Sequence, residues 1–543
     1  MIMKKKPAVR ILAMLCVLTM SMTLIGCQGK KGDTYSEKNV SDSENTLDIV
    51  AIEKGYGTKW LYALADAYKE KHPEVEITIT TETEDTNITN KLEMGADYSR
   101  YDLFFAGTDV RSMITSALNG DEEKAYLADL TEVYEAAPDG KKIKDTLDPS
   151  LLAAFQYEND GKEVYYTMPW VQTVAGLLAN DKVLIDALGE NWEDKYPVRT
   201  TNELVKISEK LAEKNVPAFI HAAATSYYQF LYEVWWAQYE GLENIENFYS
   251  GRYFDEVEQK MKIGPEIFNQ QGRLEAMKVM EATFGAGYSD EKSNSYTWNE
   301  TQTHFMLGDS AFFSNGDWNN LEMEKSFPDN QVRFLRTPIV SSLGTKLGIT
   351  EEQLCQIIDY VDAVLDGKEA QAPSFAPTGS YTAEQVIEEV KKARTLTYTY
   401  SNYHTTFAAS YGKGLEHAKE FLIFMASEEG QEIFAKAMNG PTLPYGYDVE
   451  SNENIWSGYS DYAKSRWMLA KNATYQYTRT DKPLGATGIN VYRAISKAPI
   501  EVLFCHEDSN MRMTAQEIYE EDYAYYKGST TWEDLLRRAG MLK

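Results

Sequence analysis

From Leu47 onward the chain alternates between short apolar runs and amphipathic stretches. Leu47-Asp48-Ile49-Val50-Ala51-Ile52 reads as a buried strand that Gly55-Tyr56-Gly57 terminates. Trp60, Leu61, Leu64, Ala65 and Tyr68 then recur at helical spacing up to His72-Pro73, where proline stops the helix. Val75, Ile77 and Ile79 alternate as a second strand, and Tyr101 to Ala106 forms a third that ends at Gly107. Strand, helix and strand with turn residues between them predict an α/β chain, its mostly parallel sheet flanked by helices. In such sheets ligands bind beyond the carboxyl ends of the strands. The loops 53–58, 82–87 and 107–111 therefore face the expected site.

Two stretches fit this rhythm less well. Residues about 240–300 are rich in Tyr, Asn and Glu. Residues about 341–400 add a helix over Glu351–Leu365 and a Pro/Ser/Gly segment around Gln371 to Gly379. Both read as insertions on a smaller scaffold. No repeat of fixed period and no heptad run is present.

The first residues read as an address. Lys4, Lys5, Lys6 and Arg10 form a basic region, Ile11 to Ile25 a short apolar one, and Leu24-Ile25-Gly26-Cys27 follows. The apolar run is too short to span a bilayer comfortably and reads as a signal peptide over residues 1–26. Its Leu-x-Gly-Cys ending resembles a bacterial lipobox, which implies cleavage before Cys27 and a lipid on its thiol. Residues 27–45 are mostly Gly, Ser, Lys, Asp, Glu and Asn, too polar to bury, and read as a flexible tether.

Charge narrows the function classes. The 543 residues hold 54 Lys plus Arg against 83 Asp plus Glu, a net charge of −29, which argues against nucleic-acid binding. Losing the basic leader makes the mature chain more acidic still. Thirty-seven Tyr and ten Trp are a heavy aromatic load, and aromatic faces suit the apolar face of a sugar as well as a core. Cys355 and Cys505 remain after the leader and the lipidated Cys27, and nothing in the sequence says whether they pair. Neither lies beside a CxxC or a His pair, and the six histidines are scattered, so no metal or cofactor is expected. There is no GxSxG, HExxH, P-loop or calcium-loop motif.

Five segments in order resemble the extracellular solute-binding proteins of ATP-driven sugar importers, the family that includes maltose-binding protein. They are the first strand, Glu53-Lys54-Gly55-Tyr56 loop and helix; Tyr101-Asp102-Leu103-Phe104-Phe105; and Asp160-Gly161-Lys162 with Tyr166 to Trp170 and Leu177 to Asn180. Phe305 to Trp318 and Ala418 to Gln431 with Gly440 to Pro444 complete the set. Tyr101 stands where the family commonly has Pro, and Ala179 where it has Tyr. The resemblance implies a two-lobed fold joined by a multi-strand hinge. Residues 46–168 plus 338–444 would form the N-terminal lobe, with the 341–400 insertion on it. Residues 169–337 plus 445–543 would form the C-terminal lobe. It further implies a monomer without catalytic residues, tethered to the membrane through Cys27. Such a protein takes a mono- or oligosaccharide between its lobes and delivers it to the membrane permease of an ABC importer. The chain's negative charge and the lack of an Arg cluster disfavour an anion such as a polyanion or acidic peptide, and a neutral sugar fits the charge best.

Sugar recognition needs flat aromatics for the CH face and carboxylates, amides or Arg for the hydroxyls. Trp318 matches the family's stacking tryptophan, and Asp317 beside it is placed to accept from hydroxyls. Trp170 lies at the lobe crossover, Tyr445 near the last crossover, and Trp298 just before the Phe305 segment. Glu53 and Tyr56 lie on the first loop, Asp85 with Glu84 after the second strand, and Asp109 after the third. Trp235 and Trp236 are adjacent, so on a helix only one of them can face a given ligand. His404 reads more simply as a residue satisfying a strand. The rival class is a surface glycoside hydrolase or lyase, which needs two carboxylates roughly 5–10 Å apart. No sequence window singles out such a pair.

Overall fold

The computed structural model describes residues 44–108, 110–121, 124–221, 227–400, 404–477, 482–489, 504 and 508–542. The leader, the tether through residue 43, Cys27, Asp109 and Cys505 lie outside the described residues. Strand β1 (Thr46–Ile52) is buried along its whole length, because helices cover both faces of its sheet. It pairs in parallel with β2 (Glu76–Glu82) and β3 (Leu103–Ala106). The helix Lys59–Lys71 between β1 and β2 buries Trp60, Leu61, Leu64, Ala65 and Tyr68, the face its periodicity predicts. A hairpin of β4 (Tyr157–Asn159) and β5 (Lys162–Val164) precedes β6 (Met168–Pro169).

The chain then passes to a second sheet. Its strands are β7 (Ala175–Asn180) and β8 (Phe219–Ile220) and, after a surface hairpin of β9 (Arg252–Asp255) and β10 (Lys260–Ile263), β11 (Phe312–Gly316) and β12 (Val332–Leu335). Strand β13 (Leu396–Thr399) follows, then β14 (Thr405–Ala408) in the first sheet, and β15 (Thr474–Tyr477) back in the second. The first sheet runs β2-β1-β3-β14-β6. The second runs β15-β13-β7-β11-β8, with β12 also on β7. Both are mixed. Strand β14 enters the first sheet antiparallel to β3 and β6 because it arrives from the other lobe.

Three passages between the sheets lie side by side. Gln172, just after β6, bridges antiparallel to Thr442. Thr173 and Thr399 join through their hydroxyls at 2.8 Å. The Tyr445 hydroxyl donates to the Pro169 carbonyl.

The 341–400 segment belongs with the second sheet, a correction to its expected place on the first lobe. Strand β13 hydrogen-bonds to β15 and β7. Arg394, at the end of the helix Ala383–Thr395, clamps Asp362 of the helix Glu351–Leu365 at 2.8 and 2.7 Å, and also donates to the Thr337 carbonyl. The same helix packs on Gln229–Glu240, which is buried from Phe230 to Gln238. The helix Ala515–Lys527, near the C-terminus, joins this body through Asp522, fully buried against Arg273 at 2.9 Å.

Candidate functional site

A cavity of about 270 Å³ opens between the two sheets. From the first sheet it is lined by Ile52 and the loop Lys54-Gly55-Tyr56 after β1, by Asp85 at the start of the helix after β2, and by Gly107 after β3. These are the carboxyl ends of three parallel strands. Trp298, Trp318 and Glu322 come from helices of the second sheet, Tyr227 precedes the helix Gln229–Glu240, and Tyr400 and His404 flank the second passage.

Trp318 is the first residue of the helix Trp318–Met323 that follows β11. Its indole lies over Gly316, where a Cβ would come within 2.0 Å of the ring. Tyr227 and Phe230 meet it edge-on, each at 5.8 Å, and Tyr400 is tilted against it at 6.2 Å. Only glycine leaves the indole room to lie flat there. Trp298 opens its helix behind a Thr297–Glu300 capping box, which fixes where its ring starts.

Below the cavity lies a buried polar knot. Asp317 is fully buried; it accepts from the Tyr56 hydroxyl at 2.5 Å, the Arg466 Nε at 3.0 Å and the Val174 amide at 3.3 Å. Arg466, equally buried, also donates to Thr442 and to the Gln172 carbonyl, so one guanidinium ties two of the passages together. Asp317 is therefore a structural hub rather than the hydroxyl acceptor expected from its place beside Trp318. Tyr56 contributes an edge of the cavity while its hydroxyl points down to the knot. A further contact between the lobes is at the cavity itself. The Gly55 amide, in a loop that takes φ +83° at this residue, donates to Glu322 Oε1 at 3.1 Å. Gln302 holds the other Glu322 oxygen at 3.0 Å.

Tyr56, Asp85, Trp298 and Trp318, all named from the sequence, line the cavity. Glu53 is exposed next to its mouth, and Asp109 lies outside the described residues. Trp170 is buried behind the wall, stacked on Trp60 at 4.9 Å, with its Nε1 donating to the Ala106 carbonyl at 3.0 Å. Trp235 and Trp236 are both core, donating to the Pro338 carbonyl and to Gln270. Tyr445 is buried with its hydroxyl on Pro169. These four serve packing because their polar ends already have protein partners. His404, read as a strand residue, lines the cavity instead, and burial lowers its imidazole to about 3, so it is neutral. Glu322, Tyr227 and Tyr400 were not anticipated. Glu322 follows Trp318 by four residues on one helix face, a spacing that the sequence does carry.

Burial raises the carboxyl groups of Asp85 and Glu322 above their ordinary range, against the opposing pull of backbone amides and Lys54. Among the described residues no group of three or more His, Cys, Asp or Glu is placed to hold a metal ion. No described helix is long and apolar enough to cross a membrane.

The sequence profile of the bacterial extracellular solute-binding proteins matches residues 54–432, well over half of the chain. The chain belongs to this family. Solute-binding proteins of this kind bind and do not form an enzyme class, and the family places the chain outside the cytoplasm. Solved structures share the fold at low identity. One is a probable secreted solute-binding lipoprotein of Streptomyces coelicolor, with 12% identity, 90% of this chain and 100% of that one covered, and a TM-score of 0.55. Another is the GacH receptor of Streptomyces glaucescens, solved unliganded and with acarbose (16%, 91% and 98%, 0.51). A third is the solute-binding protein RafE in complex with raffinose (13%, 90% and 99%, 0.51). No curated protein sequence matches the chain.

Proposed function

We propose that this solute-binding protein captures a carbohydrate, a mono- or short oligosaccharide, between its lobes and hands it to an ABC importer. The observation that carries the reading is the cavity itself. Trp318, Trp298, Tyr227, Tyr400 and Tyr56 offer flat or edge-on aromatic surface from both lobes, and Asp85 and Glu322 offer acceptors beside them. At about 270 Å³ it lies just below the usual size of ligand pockets, roughly 300–1,000 Å³. Room for one or two rings follows, rather than for a long chain. Acarbose and raffinose in the GacH and RafE structures are carbohydrates, which supports the class.

In this reading the chain is a monomer held by lipid on Cys27 at the outer face of the cytoplasmic membrane. Its lobes are the bodies built on the two sheets, and they close because ligand bridges them. Calorimetric titration against a panel of mono- and oligosaccharides, with the same mixtures assayed for bond cleavage, tests it. Saturable micromolar binding with intact sugar is expected. Cleaved sugar favours the hydrolase reading and overturns this one.

A further inference from the structure

Fixed charge inside the cavity is one-sided. Asp85 reaches it from the first lobe and Glu322 from the second, both partly buried. Asp85 Oδ1 accepts from the Gly107 amide at 2.6 Å, and the Glu322 oxygens accept one each from Gly55 and Gln302. A carboxylate oxygen takes two hydrogen bonds, so both groups keep acceptor capacity for a ligand. Among the described residues the lining's one cation is Lys54, which is exposed at the mouth and screened by solvent there. Exposed Glu53 precedes it in the chain, exposed Glu84 precedes Asp85, and His404 is neutral. Burial disfavours the charged form of both carboxyl groups, and their hydrogen bonds and Lys54 offset it only in part.

Around these carboxylates stand the faces and edges of Tyr56, Tyr227, Trp298, Trp318 and Tyr400. Aromatic rings attract a cation and gain most where water is excluded. A neutral ligand closing this cavity would strip water from two carboxylates and return only hydroxyl hydrogen bonds. A cation returns charge to charge where the surroundings screen least.

We propose that the sugar this cavity takes carries a protonated amine, held by Asp85 and Glu322 against the aromatic wall. The proposal rests on the carbohydrate reading and departs from the neutral ligand that the resemblance and overall charge suggest. The test is calorimetric titration of the full chain at pH 7 with matched sugars of the gluco, galacto and manno series and their β-1,4 dimers. Each sugar bears a hydroxyl, an N-acetyl group or a free amine at the same carbon. The amine form of one series is expected to bind at least tenfold tighter than its two neutral counterparts. Added salt should shrink that advantage, and Asp85→Asn, which still accepts from Gly107, should cut it below threefold. Neutral members binding as tightly as the amine overturn the proposal while carbohydrate capture stands. Silence from every member overturns the carbohydrate reading and this proposal with it. The wild-type ratio decides even if the variant fails to fold.

Discussion

Replacing Asp317 by Asn tests the knot beneath the cavity. The amide matches the carboxyl in shape and can still accept from Tyr56, but its NH2 then faces the Arg466 and Val174 donors, so the change removes charge and one acceptor and leaves no hole. Arg466 then keeps a guanidinium with no exposed surface beside a neutral partner. Breaking one side of a buried pair costs about 3–5 kcal/mol, a large part of a total stability on the order of 5–15 kcal/mol. Arg466→Met alone should cost a similar amount by stranding the carboxylate. The double variant Asp317→Asn with Arg466→Met buries no charge at all, and pairs exchanged for apolar groups are often neutral in stability. It should therefore lose much less than the sum of the two single changes. Urea unfolding followed by tryptophan fluorescence measures all four proteins. A single-variant loss below about 1 kcal/mol, or losses that simply add in the double variant, would refute the account of Asp317 as a charged hub.

Trp318→Ala should weaken sugar binding by about 1–3 kcal/mol, the usual loss of an aromatic stacking platform, and unchanged affinity in titration would return Trp318 to the core. Gly316→Ala should displace the same indole, since its new Cβ meets the ring at 2.0 Å; overpacking costs about 1–3 kcal/mol, and a variant with wild-type stability and affinity would contradict the flat seat. His404 is held down to about 3 from 6.5 by burial. The unfolded chain therefore takes up the proton first, and the stability present above pH 6.5 drains away as pH falls toward 3. Urea midpoints at several pH values should fall less steeply in His404→Gln, and parallel curves would reject the assignment.

The parts legible in the sequence were those with local signatures. Trp60, Leu61, Leu64 and Tyr68 announced a helix and its buried face, and the strand-end loops announced three sides of the cavity. What the sequence hid depends on partners far along the chain. Asp317 looked like a free acceptor because Arg466, which occupies it, comes 149 residues later. Trp170, Trp235 and Trp236 looked like sugar platforms because a pattern of apolar residues does not say which indole nitrogens find a carbonyl or amide inside. The 341–400 segment showed its helices plainly and its place not at all. Its attachment rests on β13 pairing with β7 and β15 and on the Arg394–Asp362 clamp.

The order in which the chain is made bears on when it can fold. The first sheet holds β14, from residues 405–408, between β3 and β6, and the second needs β13 and β15. Arg273 meets the carboxylate of Asp522, 249 residues on. A growing chain therefore cannot complete either body until most of it has been synthesised, and cannot form that buried pair until the helix Ala515–Lys527 is made. Non-local pairing of this kind also slows collapse into a finished core. Both sheets therefore stay unfinished through most of the chain's synthesis, which suits a protein whose place of work lies outside the cytoplasm.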